Sequence, residues 1–410
     1  MVMSLELDYP NPHKKGEIFF KLPVLRILGP GPCNASMSVL SAMLYQPLAP
    51  SNKDYWKMNE DIQKMLRYVY QTENPLTLVT QTSGNGGNEA MVTNLADPGE
   101  TIVVAVAGVW GAKVADMGRR YNLKVIELRV EDGEVYTFKE LEEQIIKHKP
   151  VALFITQGDT SGGTLQPLEG LGDICHKHNC LLAVDAVVTI GAVPLFVDRW
   201  KIDAVCGGSQ KGLGAPAGMS LLSFSPLAQF FILKKMLEKK HPPPYIFDIL
   251  SLADVWNCFG KPIKYHYTYG TPMLAAVRQA LEEICEEGVE NVWERTRLAT
   301  DLFISKLDKL GMKHFVEKPE NRLPGVVCAV LPEGVSWRIV LERLIEQHSI
   351  DISFGIGPTA NKAVRIGFLA QNAKSTVVEF FAEALEEAIN YCREYCRVNG
   401  VPDDESLLAL

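Results

Sequence analysis

Cys180-Leu181-Leu182-Ala183-Val184-Asp185 is an apolar run closed by a carboxylate. Three other segments share its character: Leu76-Thr77-Leu78-Val79-Thr80, Thr101-Ile102-Val103-Val104-Ala105-Val106 and Val151-Ala152-Leu153-Phe154-Ile155-Thr156. These read as runs apolar on both faces, which fits strands covered by helices on either side. Helical patterns lie between them, at roughly 87–96, 111–121, 137–147 and 168–178. Such alternation predicts an α/β domain on a mostly parallel sheet, with any ligand at the C-terminal ends of the strands.

Working outward, residues 1–24 read as an irregular arm containing Pro10, Pro12 and Pro23. The stretch 225–262 breaks the alternation with Pro242-Pro243-Pro244 and with Lys234, Lys235, Lys239 and Lys240, and reads as a surface excursion and a helix. A long helix is expected around 273–311. It leads to a smaller C-terminal α+β unit with strands near 326–331 and 363–369 and an amphipathic helix near 375–398. The expected division is an arm (1–24), a large domain (25–280) and a small domain (281–410).

The composition, 47% hydrophobic and 22% charged over 410 residues, suits a soluble globular enzyme with two domains. A net charge of −8 argues against nucleic acid or an anionic membrane as the main partner. Nine cysteines, an odd number scattered from Cys33 to Cys396, suit free thiols in a reducing compartment. No segment reaches the roughly 18 apolar residues of a membrane span. The N-terminus is a poor targeting signal, and Leu408-Ala409-Leu410 is no Ser-Lys-Leu address, so the cytoplasm is the default.

Chemistry concentrates in a few places. Lys211 stands in Gly207-Gly208-Ser209-Gln210-Lys211-Gly212-Leu213-Gly214, 26 residues after Asp185. Small neighbours let something approach the lysine closely; its bland reading is a solvated loop lysine. Asp185 closes a strand, where it is either the partner of a buried cation or the N-cap of the next turn. A Schiff-base lysine and an aspartate under a pyridinium nitrogen are what a pyridoxal 5′-phosphate (PLP) enzyme needs. Thr82-Ser83-Gly84-Asn85-Gly86-Gly87-Asn88-Glu89 follows a strand and opens a helix, so it is either a phosphate cup or a turn serving the fold alone. Trp110, just after a strand, either stacks on a flat cofactor or packs at a rim. Arg365, between Val364 and Ile366, is either a fork for a carboxylate or an edge-strand charge. The cluster Cys175-His176-Lys177-His178-Asn179-Cys180 matches no zinc spacing, and no metal is expected.

The order of these parts resembles fold-type I PLP enzymes. Their wording resembles class V aminotransferases, above all the alanine–glyoxylate/serine–pyruvate aminotransferase family. The matching segments are Leu28-Gly29-Pro30-Gly31-Pro32, Gln71-Thr72-Glu73-Asn74-Pro75, Leu165-Gln166-Pro167-Leu168, Val184-Asp185-Ala186-Val187, Gly208-Ser209-Gln210-Lys211 and Val364-Arg365-Ile366-Gly367. The resemblance implies PLP bound covalently to Lys211, which then moves the substrate proton. Asp185 would pair the ring nitrogen and Trp110 stack on the ring. Ser83, Gly84, Asn85 and Gln210 would hold the phosphate, and Thr160 would lie near the cofactor's phenolic oxygen. Tyr265 and Thr268 would serve the neighbouring subunit of a homodimer, and Arg365 the substrate carboxylate.

The implied reaction moves an amino group from alanine or serine to a small 2-oxo acid such as glyoxylate or pyruvate. 3-Hydroxykynurenine transamination, as in a similar insect branch, and a PLP lyase or decarboxylase on the same scaffold are the alternatives. Some family members are peroxisomal. Two departures stand out: Asn85 replaces a family histidine, and Ala49-Pro50 replaces small or polar residues of the substrate pocket.

Overall fold

The computed structural model describes residues 22–238, 241–260 and 264–399. The four apolar runs form strands β1 (Leu76–Thr80), β2 (Thr101–Val106), β4 (Ala152–Thr156) and β5 (Leu181–Asp185). With β3 (Lys124–Arg129), β6 (Ala204–Gly208) and β7 (Ser220–Phe224) they make a seven-stranded sheet in the order β1-β7-β6-β5-β4-β2-β3. Pairing is parallel from β3 to β6, while β7 runs antiparallel to both β6 and β1. β1 therefore points the same way as the parallel strands, and their C-terminal ends meet on one edge.

Helices α1 (Lys53–Tyr70), α2 (Gly84–Leu95), α3 (Val109–Arg120), α4 (Phe138–His148) and α5 (Leu171–Lys177) accompany this sheet. The pattern read at 168–178 starts later than expected, because Gly170 holds φ +92 immediately before α5. α4 begins with a capping box of Thr137 and Glu140, which satisfies backbone N–H groups at its start.

The region from 225 holds α6 (Pro226–Leu237) and α7 (Ile249–Val255); Lys239 and Lys240 lie outside the described residues. The single helix expected over 273–311 is instead two, α8 (Thr271–Glu287) and α9 (Val289–Ile304). Gly288 separates them with φ +88, a conformation that does not continue a right-handed helix.

The small unit is a four-stranded antiparallel sheet, β8 (Lys313–His314), β9 (Val326–Val330), β10 (Ser353–Phe354) and β11 (Ala363–Gly367), in the order β8-β9-β11-β10. α10 (Trp337–His348) and α11 (Ser375–Asn399) cover it. Phe303, Phe368 and Phe381 meet in its core, with ring centroids 5.2 to 6.0 Å apart. Leu28 belongs to that core, and Arg26–Ile27 pair in parallel with Ile350–Asp351. The arm expected at 1–24 lies outside the described residues up to residue 21, as does Leu408-Ala409-Leu410. Among the described residues no helix is long and apolar enough to cross a membrane.

Candidate active site

Six of the large-domain site residues stand at or just beyond the C-terminal end of a strand. Ser83 follows β1, Trp110 follows β2, Thr160 follows β4, Asp185 ends β5, and Gln210 and Lys211 follow β6. Together with Gly84 and Asn85 they line one cavity of about 250 Å³. Glycine makes the wall thin where it must be. A side chain on Gly84 would strike Val187, and one on Gly31, whose φ is +109, would strike Lys211. Ser83 is the N-cap of α2 but its side chain caps no backbone N–H, so the first amides of α2 are left for an anion.

Lys211 is 8% exposed, and its Nζ donates to the carbonyls of Pro30 at 2.8 Å and Gly31 at 3.2 Å. Burial, helped by the Arg365 charge, draws its amine down to about 8. Asp185, 7% exposed, receives Val187 N–H on Oδ1 at 2.9 Å and Asn88 Nδ2 on Oδ2 at 2.7 Å. Burial outweighs these donors and lifts its carboxyl to about 6. Trp110 Nε1 donates to Thr160 Oγ1 at 2.7 Å. Arg365 reaches the same place from the small domain, with Nη1 donating to Thr160 O at 3.3 Å and Nε to Phe354 O at 2.8 Å.

The class V aminotransferase family model matches residues 45–380, nearly the whole described chain. The chain belongs to the class V aminotransferase family. The alanine–glyoxylate aminotransferase of Callithrix jacchus is 40% identical to it over 90% of this chain and 89% of that protein. The (S)-ureidoglycine–glyoxylate transaminase of Bacillus subtilis is 28% identical over 90% and 91%. A crystal structure of alanine–glyoxylate aminotransferase from Nostoc sp. superposes with TM-score 0.88 at 33% identity, covering 93% of this chain and 99% of that one. The fold is that of the PLP-dependent aminotransferases, and the activity of this aminotransferase is transamination.

Not every residue singled out in the sequence of this aminotransferase meets the cavity within one chain. Tyr265 and Thr268 are exposed and bond each other, hydroxyl to hydroxyl, at 3.0 Å. Ala49 and Pro50 lie on the loop before α1, where the Pro50 carbonyl accepts from Trp56 Nε1 at 2.7 Å. The Cys175–Cys180 cluster is distant chemistry: His176 bonds Asp203 and His178 bonds Glu142, at 2.9 and 3.0 Å.

Two residues escaped the sequence reading. Asn88 holds Asp185, and its position one helical turn after Gly84 was the available signal. Asp159, 1% exposed, receives Ser161 N–H on Oδ1 at 2.7 Å, and Ser161 Oγ donates to the same atom. Ser161 in turn takes Val109 N–H on Oγ, and its carbonyl accepts from Thr359 Oγ1 at 2.6 Å. This knot ties the start of the Trp110 helix to the small-domain loop that precedes Arg365.

Proposed function

We propose that this aminotransferase moves the amino group of a small L-amino acid, alanine or serine, to glyoxylate, using PLP bound in the Lys211 cavity. The observation that carries the reading is the meeting of Lys211 and Asp185 in one cavity with a helix N-terminus and an indole. The family also implies PLP. The site fits that group chemically: Asp185 is a buried carboxylate with two donors and no cationic partner, and the Lys211 amine is partly neutral near pH 8.

Bound there, PLP supplies a conjugated ring that takes up the electron pair released at the substrate α-carbon. The rest falls to the protein. The Asp185 carboxylate favours a protonated ring nitrogen, and the free amides of Ser83, Gly84 and Asn85 hold the phosphate. Trp110, fixed by Thr160, fills one side of the cavity as a flat wall. Arg365 presents its guanidinium to the substrate carboxylate, orienting the α-carbon. Lys211 Nζ is the group placed to take the proton from that carbon and hold it.

Glyoxylate is the acceptor we favour because both curated relatives named above carry it in their names, whereas their amino donors differ. Tyr265 and Thr268 we assign to the neighbouring site of a homodimer, a role supported by their exposure and by their not lining their own chain's cavity. The test is product formation. Purified protein with PLP, alanine and glyoxylate is expected to release pyruvate and glycine in equal amounts. Pyruvate formed without glyoxylate consumption, or no product with either alanine or serine, overturns the assignment.

A further inference from the structure

α2 touches the site twice. Its first residues, Gly84 and Asn85, line the cavity at the end we assign to phosphate; one turn later Asn88 lines the same cavity beside Asp185. Residues four apart lie on one helical face, so a single straight helix spans from one end of the cavity to the other. Its register is fixed from behind. A side chain at Gly87 would press on Cys206 of β6 and Ser220 of β7, so α2 lies flat against the sheet and Asn88 is brought within reach of Asp185.

The contact is specific. Asn88 is 3% exposed, and its Nδ2 donates to Asp185 Oδ2 at 2.7 Å, while Val187 N–H holds Oδ1 at 2.9 Å. Donors on the two oxygens fix the plane of the carboxylate and favour its charged form. The other atom of the amide, Oδ1, is buried without a partner, so the amide is retained at a cost that the donated bond must offset.

Resting on the PLP reading above, we propose that Asn88 is a positioning residue for the cofactor's ring nitrogen: it holds the Asp185 carboxylate charged and oriented toward a pyridinium N–H. Because Asn88 and the phosphate amides share α2, the helix sets the distance between the two anchors of the cofactor.

The experiment compares two ligands on the same apoprotein. One is PLP; the other is its carba analogue, in which C–H replaces the ring nitrogen and nothing can pair with Asp185. For Asn88→Leu we expect PLP binding, measured by equilibrium dialysis, to weaken about tenfold, the scale of one hydrogen bond to a charged group. Binding of the carba analogue should stay within about twofold of wild type. Equal loss for both ligands means that Asn88 merely supports the fold, and no loss for either means that it does not act on Asp185; each overturns the proposal. If the leucine variant does not fold, Asn88→Ala carries the same comparison. Wild-type protein that fails to bind PLP would instead sink the cofactor reading, a distinct outcome.

Discussion

Asp185 and Lys211 are 7% and 8% exposed, each held by hydrogen bonds from its own chain, whereas Tyr265 is 69% exposed and Ala49 sits on an open loop. One side of the proposed site is thus finished within a single chain, and the other faces outward. On the function proposed above, the inner side sets the chemistry, because it fixes where a proton and a ring charge would go. On the same reading, the outer side is where a second copy and differences in substrate would enter. Breaking the inner side should therefore abolish turnover at any protein concentration, while changes to the outer side should be graded and sensitive to assembly.

The largest effect belongs to Lys211→Ala. It removes the group to which we assign the proton transfer, and kcat should fall by at least about 10³-fold. Stopped-flow absorbance should also show that the wild-type apoprotein combines with PLP faster as pH rises through about 8, since the neutral amine is the nucleophile, and that the alanine variant has no such step.

Asp185→Asn comes next, with opposite signs for activity and stability. Losing the ring-nitrogen partner should lower kcat/KM about 10²-fold, the scale of breaking a buried charge pair. The folded carboxyl sits near 6, above its ordinary value of 3.8, so the folded apoprotein binds more protons than the unfolded chain between those values. Its contribution to stability is therefore present below pH 4 and lost as pH rises towards 6. At pH 7 the asparagine variant, free of that buried charge, should be more stable than wild-type apoprotein by about 1–3 kcal/mol, read from urea denaturation. Asn88 can turn its partnerless Oδ1 towards the new amide. A less stable variant would show that the burial is not costly.

Tyr265→Phe should have the smallest effect. If its hydroxyl serves the neighbouring subunit, PLP binding weakens by about threefold to tenfold at protein concentrations where the dimer persists. The difference from wild type should vanish on dilution to monomers. An effect that survives dilution would place Tyr265 in its own chain's site and blur the contrast between the two sides.

Much of the inner side was legible because it rests on continuous apolar runs whose strand ends are marked by polar residues. Asp185 closing β5, and Lys211 among glycines after β6, can be read without knowing the fold. Asn88 was marked only by standing one turn after Gly84: its neighbours in a glycine-rich helix give no amphipathic signal, and its meaning depends on a strand almost a hundred residues away. β3 was missed because it forms the sheet edge, where Lys124, Glu127 and Arg129 break the apolar pattern. The break between α8 and α9 turned on the backbone of one residue, Gly288, within an otherwise helical text. The small-domain contact of Leu28 has no local signature, since it joins residues more than three hundred positions apart.

That contact has a consequence for the order in which the protein is made. Leu28 N–H bonds Asp351 O at 2.7 Å, Leu28 O receives Gly367 N–H at 2.7 Å, and two residues later the Pro30 carbonyl receives Lys211 Nζ. A ribosome produces the Pro30 end of this strap more than three hundred residues before its anchorage at 351 and 367. The growing chain holds every strand of the large sheet by residue 224, while the strap whose Pro30 and Gly31 carbonyls hold Lys211 is still unanchored. A stalled or truncated product lacking β11 would keep the large-sheet wall of the Lys211 cavity but leave the strap against it without its anchorage at 367.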